Sequence, residues 1–390
     1  MGMARTRFAV LCAAVAAACT PVGSQPDWQL APEPGLEGVE TSLFLIGDAG
    51  APEEGDQVLG ALTTQMARLP ERSVAVFLGD NIYPLGMPDT GAADRAESER
   101  RLQEQIDAVL EAGGRGIFVP GNHDWIRGRK GGWDAVLRQE RYVNEHGAPR
   151  VVLVPGGGCP GPVAVDFGEH LRVIVMDTQW WLNENAKPMH PNSACPADAK
   201  WEVTDSLRTA ARAAGNRHVV FAAHHPLQTG GVHGGHFSAK DNIFPLTVAV
   251  SWLYLPLPII GSAYPIARRS GISNQDMSGS RNKQMRDSIE TAFAAHPALI
   301  AAGGHEHNLQ VIDGQPGQNV KHIVVSGAGY DDHTDRATYI EGSRYAAAAS
   351  GFVRIDFLRD GRARLAVVTV DEEGRITESF SMWLDTGGDS

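Results

Sequence analysis

Five short segments concentrate the side chains that could do chemistry: Gly47-Asp48-Ala49-Gly50, Gly79-Asp80-Asn81-Ile82-Tyr83, Gly121-Asn122-His123-Asp124, His224-His225-Pro226 and Gly304-His305-Glu306-His307. Together they offer carboxylates, an amide oxygen, a phenol and imidazoles, the ligand list of a two-metal hydrolytic site. Two cations a few ångströms apart repel each other, so an anionic ligand has to be shared between them. One of Asp48 and Asp80 fits that need, and Asp80 is better placed because Asn81 and Tyr83 accompany it. A turn after Asp80 would return the Tyr83 phenol to the same ion. A phenolate is a hard donor that favours a trivalent ion such as Fe(III) over Zn(II). Asn122 supplies a neutral oxygen for the other ion, and a bend after the strand would aim His305 and His307, two residues apart, at one ion each. Singly, each segment has a plainer explanation: a turn or helix cap, a hydrogen-bonded loop, a polar surface, or a pre-proline residue held extended. The weight lies in the set.

The elements that must position these segments are legible around them. Leu43 to Ile46 is an apolar run that stops at Gly47-Asp48, and Val74 to Leu78 stops at Gly79-Asp80. Ile117 to Val119 leads to Gly121-Asn122, Val173 to Met176 to Asp177, Val219 to Ala223 to His224, and Leu299 to Ala302 to His305. Val58, Leu59, Leu62, Met66 and Leu69 recur at helical spacing, predicting a helix over 57–69. Leu102, Ile106, Val109 and Leu110 predict another that ends by Gly113-Gly114. Continuous apolar strands with intervening helices imply an α/β sheet covered on both faces. Ligand sites in such sheets form beyond the carboxyl ends of the strands, and all five segments fall there. In the tail, 322–326, 351–358 and 364–370 read as antiparallel strands closing a second sheet.

An insertion at about 228–283 breaks the rhythm. Between Asp241 and Arg268 it carries no charged side chain, and Pro245, Pro256, Pro258 and Pro265 oppose a straight spanning helix. It reads as an apolar lid or membrane-contacting flap, or as an insertion packed on its own domain. His233 and His236 just past the fourth segment either reach the substrate or belong to a flexible Gly-rich loop. Trp180 and Trp181 either wall the pocket or pack beneath a loop. His170, His190, His218, His296 and His322 have no partner pattern and read as structural.

The chain of 390 residues is 43% hydrophobic, enough for a large core, and its net charge of −12 argues against nucleic acid as a partner. Arg5 and Arg7 precede the apolar run Phe8 to Ala18, an export signal too short to span a bilayer. Ala16-Ala17-Ala18-Cys19 resembles a bacterial lipobox with Cys19 lipidated, plain cleavage being the alternative. The domains expected are thus a signal over 1–19, a Pro-rich tether over 20–40 and one domain over 41–385. Export to the periplasm, anchored to a membrane or secreted, makes a Cys159–Cys195 disulfide plausible; free thiols and a metal are the alternatives.

The five segments resemble the calcineurin-like metallophosphoesterase superfamily over roughly 41–328. Asp48-Ala49-Gly50 and Gly79-Asp80-Asn81-Ile82-Tyr83 are similar to the small purple acid phosphatases within it. The resemblance implies a four-layer αββα fold, a two-sheet mixed β-sandwich flanked by helices. It implies two metal ions, Fe(III) held by Asp48, Tyr83 and His307, and a divalent Fe, Zn or Mn held by Asn122, His224 and His305, with Asp80 bridging. His225 stands where those enzymes often have Tyr, which leaves open which of the two histidines binds metal and lets the other assist catalysis. His123 would contact phosphate or protonate the leaving alkoxide, with Asp124 orienting it. The activity implied is hydrolysis of phosphate monoesters by in-line attack of a metal-activated hydroxide. A phosphodiesterase or nucleotide hydrolase on the same site is the near alternative. A membrane-peripheral, non-catalytic interaction protein is the distant one, and membrane contact would run through the lipid anchor and residues 241–268.

Overall fold

Leu43 and Leu45 point to one side of the first strand, Phe44 and Ile46 to the other, and all four are fully buried. Such a strand needs a layer on each face, and the computed structural model supplies both. It describes residues 30–191, 193–238, 242–244, 255, 261–331 and 334–385. The expected export signal, residues 20–29 of the tether and much of the 241–268 stretch lie outside these residues. No described helix is long and apolar enough to cross a membrane.

Two seven-stranded mixed sheets face each other. The first places β1 (Val39–Ile46), β2 (Ser73–Phe77), β3 (Arg115–Phe118) and β4 (Val151–Leu153) in parallel. The second is built on β6 (Leu171–Val175), β7 (His218–Ala222), β8 (Ala298–Gly303) and β10 (Val320–Ser326), also parallel. β5 (Val163–Phe167) runs antiparallel on β6, and β9 (Leu309–Asp313) and β11 (Ser343–Ala347) run antiparallel beyond β10.

The tail departs from expectation. β12 (Gly351–Leu358), β13 (Ala363–Val370) and β14 (Ile376–Trp383) do not close the second sheet; they extend the first, with β12 antiparallel to β1. Only 322–326 joins the second sheet, as part of β10 and parallel to β8. The physical reason is the edge of β1, whose backbone groups opposite β2 would otherwise be unpaired. β12 is buried along its whole length and satisfies them.

Leu43, Leu45, Val74 and Val76 of one sheet pack on Val173, Val220, Ile300 and Val324 of the other. Outside the first sheet lie α1 (Gln57–Met66), α2 (Arg95–Glu111) and α3 (Gly132–Gly147), sealed through Val58, Leu62, Ile106 and Val109. Asp56 caps α1 by accepting from Val58 N and Leu59 N, each at 3.0 Å. Outside the second sheet lie α4 (Thr178–Leu182), α5 (Lys200–Arg212) and α7 (Ser280–Phe293); α6 (Ala263–Arg269) belongs to the insertion. Trp180 and Trp181 are fully buried in that outer core rather than lining a pocket. The result is the four-layer αββα sandwich expected.

Cys159 and Cys195 form a disulfide across 36 residues, with Cα atoms 5.6 Å apart. It joins the segment before β5 to the loop before α5. On chain-entropy grounds, removing a bridge of this span costs roughly 3–4 kcal/mol. Thermal unfolding of Cys159→Ser/Cys195→Ser is expected to show a lowered Tm that reductant no longer changes, whereas reductant lowers the Tm of the parent.

Candidate metal centre

β1, β2, β3, β7 and β8 all end at one edge of the sandwich, and each of the five segments begins where its strand stops. Three of the residues so placed, Asp48, Asp80 and His305, adopt left-handed backbone with φ of 55°, 54° and 68°. L-residues rarely do this, Asp and His more readily than most. The chain thereby turns sharply and leaves the side chain at the sheet edge. The turns nest so closely that a Cβ on Gly121 would lie 2.3 Å from Asp80 N, and one on Gly79 would lie 2.7 Å from His224 Nδ1.

Two groups of donor atoms converge there. In the first, Tyr83 Oη lies 2.9 Å from Asp48 Oδ1, 3.4 Å from Asp80 Oδ2 and 3.2 Å from His307 Nε2. His307 Nδ1 faces Asp335 Oδ2 at 3.2 Å, which places its N–H there and its lone pair on Nε2. In the second, His224 Nε2 lies 2.9 Å from Asn122 Oδ1, 3.2 Å from His305 Nδ1 and 3.5 Å from Asp80 Oδ1. His224 Nδ1 donates to Leu78 O at 2.8 Å and His305 Nε2 donates to Gln275 O at 3.1 Å. The nitrogens that remain, His224 Nε2 and His305 Nδ1, carry lone pairs aimed at each other and at oxygens. Lone pairs packed on lone pairs call for a cation between them. Asp80 reaches both groups, Oδ2 to Tyr83 and Oδ1 to His224, and Asp48 stands with Asp80 and His224 in a group of donor atoms within 4.8 Å of one another.

Electrostatics agree. Burial pushes the Asp48 carboxyl up to about 6 against the pull of His224 and His307. Burial acts likewise on Asp80, but His224 and His123 outweigh it and leave that carboxyl below its usual range. Burial, with Asp48 and Asp80, holds the Tyr83 phenol well above its usual value, so only a cation could keep it ionised here. The donor set therefore fits two bound ions.

His224 and His225 separate cleanly. His225 Nδ1 contacts Thr178 Oγ1 at 2.9 Å, and its Nε2 donates to Gln275 Oε1 at 2.8 Å. Burial, with His224, drives it down to about 3. Both His225 ring nitrogens thus have partners in a buried ring, while His225 also stands with His224 and His305 in a group whose donor atoms lie within 4.8 Å of one another. Asp124 has partners other than the His123 ring. Its carboxylate accepts from Gly121 N (2.7 Å), Asn81 N (3.1 Å), Ile82 N (3.2 Å) and Asn81 Nδ2 (3.1 Å). His123 instead bonds through Nδ1 to Pro84 O at 2.8 Å. Asp124 is saturated by the second and third turns and holds them together.

Other participants left little trace in the sequence. Glu306, buried inside the fifth segment, accepts from Val232 N (3.1 Å) and His233 N (2.8 Å) and so ties down the Gly-rich loop. The His233 ring lies 3.9 Å from that of His305, while His236 remains half-exposed and away from these contacts. Gln275, Thr178 and Asp335 are isolated polar residues without a motif. Of the histidines read as structural, His170 pairs with Glu40 and His322 with Asp313. A cavity of about 910 Å³ beside Leu30, Asp313, Arg344 and Trp383 holds none of the metal-centre side chains.

A family model described as calcineurin-like phosphoesterase matches residues 42–251, more than half of the chain. The chain belongs to the calcineurin-like phosphoesterase family. It is accordingly a metallophosphoesterase, with phosphate esters as its substrate class. The fold is similar to that of purple acid phosphatase PPD1 from yellow lupin (Lupinus luteus) seeds, at 15% identity and TM-score 0.50, covering 88% of this chain and 53% of that one. It is also similar to PhoD, at 12% identity and TM-score 0.54, covering 92% and 72%. A third likeness is to GAP50, the anchor in the inner membrane complex of Plasmodium, at 13% identity and TM-score 0.47, covering 89% of each chain. At such identities the first two likenesses speak for the fold alone. No curated protein matches the sequence.

Replacing Asp124 tests how much these contacts contribute. Asp124→Ala strands several buried N–H donors and is expected to cost roughly 3 kcal/mol of stability. Urea unfolding of the full chain checks this. A residue that merely oriented His123 would lower activity and leave the unfolding midpoint in place.

Proposed function

We propose that this chain is a phosphomonoesterase of the purple acid phosphatase type. The observation that carries the reading is the pair of lone-pair clusters sharing Asp80, one of them containing a phenol. In this reading Asp48, Tyr83 and His307 hold Fe(III), Asn122, His224 and His305 hold a divalent ion, and Asp80 belongs to both. Bound there, the ions would lower the pKa of water and neutralise charge on the phosphoryl oxygens.

The chain's own residues do the rest. Leu78 O and Asp335 fix the tautomers of His224 and His307, so each presents a lone pair to its ion. His123 N donates to Asp80 Oδ1 at 2.7 Å and holds the shared carboxylate in place. The His123 ring packs edge-on against Tyr83 with centroids 4.5 Å apart. Its Nδ1 is spent on Pro84 O, so Nε2 is the nitrogen left for phosphate or the leaving alkoxide. Hydrolysis of diesters or nucleotides on the same site is the second reading, because the donor set alone does not discriminate against a second ester bond.

Two experiments decide between these readings and test the metal assignment. Purified protein is expected to turn over p-nitrophenyl phosphate with a kcat/KM at least tenfold above that for bis(p-nitrophenyl) phosphate. The reverse order would replace the monoesterase reading with the diesterase one. The oxidised protein is expected to absorb in the visible through a Tyr83–Fe(III) band that Tyr83→Phe abolishes, and a colourless, active protein would sink the iron assignment.

The two histidines give a separate prediction. His224→Ala should bind one metal ion per chain where the parent binds two, and His225→Ala should still bind two. Metal analysis of the purified variants reads this directly.

A further inference from the structure

The third strand-end segment runs on into Trp125-Ile126-Arg127-Gly128-Arg129-Lys130, a stretch that none of the five motifs includes. Ile126 and Arg127 are consecutive left-handed residues, with φ of 52° and 53°. A β-branched residue seldom takes that conformation, and it persists only where the surroundings leave the chain no choice. Here Ile126 N donates to His123 O at 2.8 Å, Arg127 N to Asn122 O at 2.7 Å and Gly128 N to Trp125 O at 2.9 Å. Trp125, fully buried, donates from Nε1 to Asp177 Oδ2 at 2.8 Å, and Asn185 Nδ2 donates to Gly128 O from the loop after α4. The stretch is thereby fixed to the backbone of Asn122 and His123.

Its side chains stand apart from the other cations nearby. Arg127, Arg129 and Lys130 are exposed, and among the described residues none of the three cationic groups has an ion-pair or hydrogen-bond partner. On α2 and α3, by contrast, Arg95, Arg100, Arg101 and Arg138 are each paired with a carboxylate. Glu184, next to Asn185, is taken up by Arg281 at 3.1 Å. Burial holds the His123 imidazole below its usual value against the pull of Asp80, and the Arg127 charge is close enough to push the same way. A chain of net charge −12 repels anions as a whole. Three unpaired cations on one fixed loop at the site are a local exception, of the sign that a phosphate ester needs.

We propose that Arg127, flanked by Arg129 and Lys130, is a specificity-determining residue that meets a second phosphate group on the leaving-group part of the substrate. This deepens the phosphomonoesterase reading and rests on it. In that reading His123 Nε2 serves the phosphate or the leaving alkoxide, so a cation beside His123 stands where the rest of the leaving group must pass. A guanidinium presents paired N–H donors that match two phosphate oxygens. Because the backbone beneath Arg127 is already held, little order is lost in making the contact.

Fructose 1,6-bisphosphate and fructose 6-phosphate are the matched probes, monoesters with and without a second phosphate, offered to metal-loaded full-length protein. The kcat/KM is expected to be about tenfold higher for the bisphosphate, the size of one exposed charge-assisted contact. Arg127→Gln is expected to remove most of that preference through KM while retaining two ions per chain. Added salt should narrow the preference of the parent, because it screens an exposed pair. The proposal is overturned if the parent shows no preference, if salt leaves the preference unchanged, or if Arg127→Gln lowers kcat/KM for both esters by the same factor. A protein that hydrolyses neither ester refutes the phosphomonoesterase reading instead. Calorimetric titration of the same two esters then carries the comparison, and equal bisphosphate affinity in the parent and Arg127→Gln would overturn the contact.

Discussion

Taking a carboxylate out of water costs several kcal/mol unless cations or N–H groups face it, and here two carboxylates are buried side by side. Asp48 and Asp80 are 0% and 2% exposed. Each is given one short backbone donor, His305 N to Asp48 Oδ2 and His123 N to Asp80 Oδ1, both at 2.7 Å. In each case the donor belongs to a different turn from the carboxylate it serves. The fifth segment is therefore tied to the first, and the third to the second. The left-handed backbone at Asp48, Asp80 and His305 and the missing side chains at Gly79 and Gly121 follow from this arrangement. Turns must approach to within a hydrogen bond for the carboxylates to be tolerated at all.

The arrangement also explains why the fold is two sheets face to face rather than one. A single parallel sheet brings neighbouring strand ends together in a row. The donor clusters need ligands from β1, β2 and β3 on one side and from β7 and β8 on the other. Packing Leu43, Val74 and Val76 against Val220 and Ile300 sets the two rows at the distance of a packed core. The ligands then meet across the gap beyond the strand ends. The outer helices serve this indirectly, covering the second faces of strands that could not otherwise be continuous apolar runs.

Much of this was legible in the sequence because it is local. A buried strand followed by a short polar segment such as Gly-Asp, Gly-Asn or His-His shows in six or seven consecutive residues, and five such strand ends announced both the sheet edge and the donor inventory. What escaped was set by contacts between distant residues. Asp124 stands next to His123, which suggested a dyad, yet besides Gly121 N its partners come from Asn81 and Ile82, more than forty residues earlier. The tail strands alternate as any antiparallel strand does, and nothing in 351–370 tells which sheet has a free edge. The choice between His224 and His225 turned on Thr178 and Gln275, polar residues that no spacing rule connects to a histidine pair.

His305 shows how the distant and the local parts are joined. Its backbone N–H serves Asp48, its Nδ1 faces His224 and its Nε2 is fixed by Gln275 O from the insertion. Its ring supports His233. A residue with left-handed backbone has little freedom to shift without losing the first of these contacts. A displacement of the insertion base would therefore be felt at the donor cluster as a change in ring orientation, rather than being absorbed by the chain. This makes the insertion unlike a loop grafted on a finished site. Gln275 satisfies His225 and His305 together, so a chain without that segment would keep the carboxylates and lose the acceptor that directs the His305 lone pair toward His224. The five motifs supply the donor atoms, and a segment with no motif of its own decides which way one of them points.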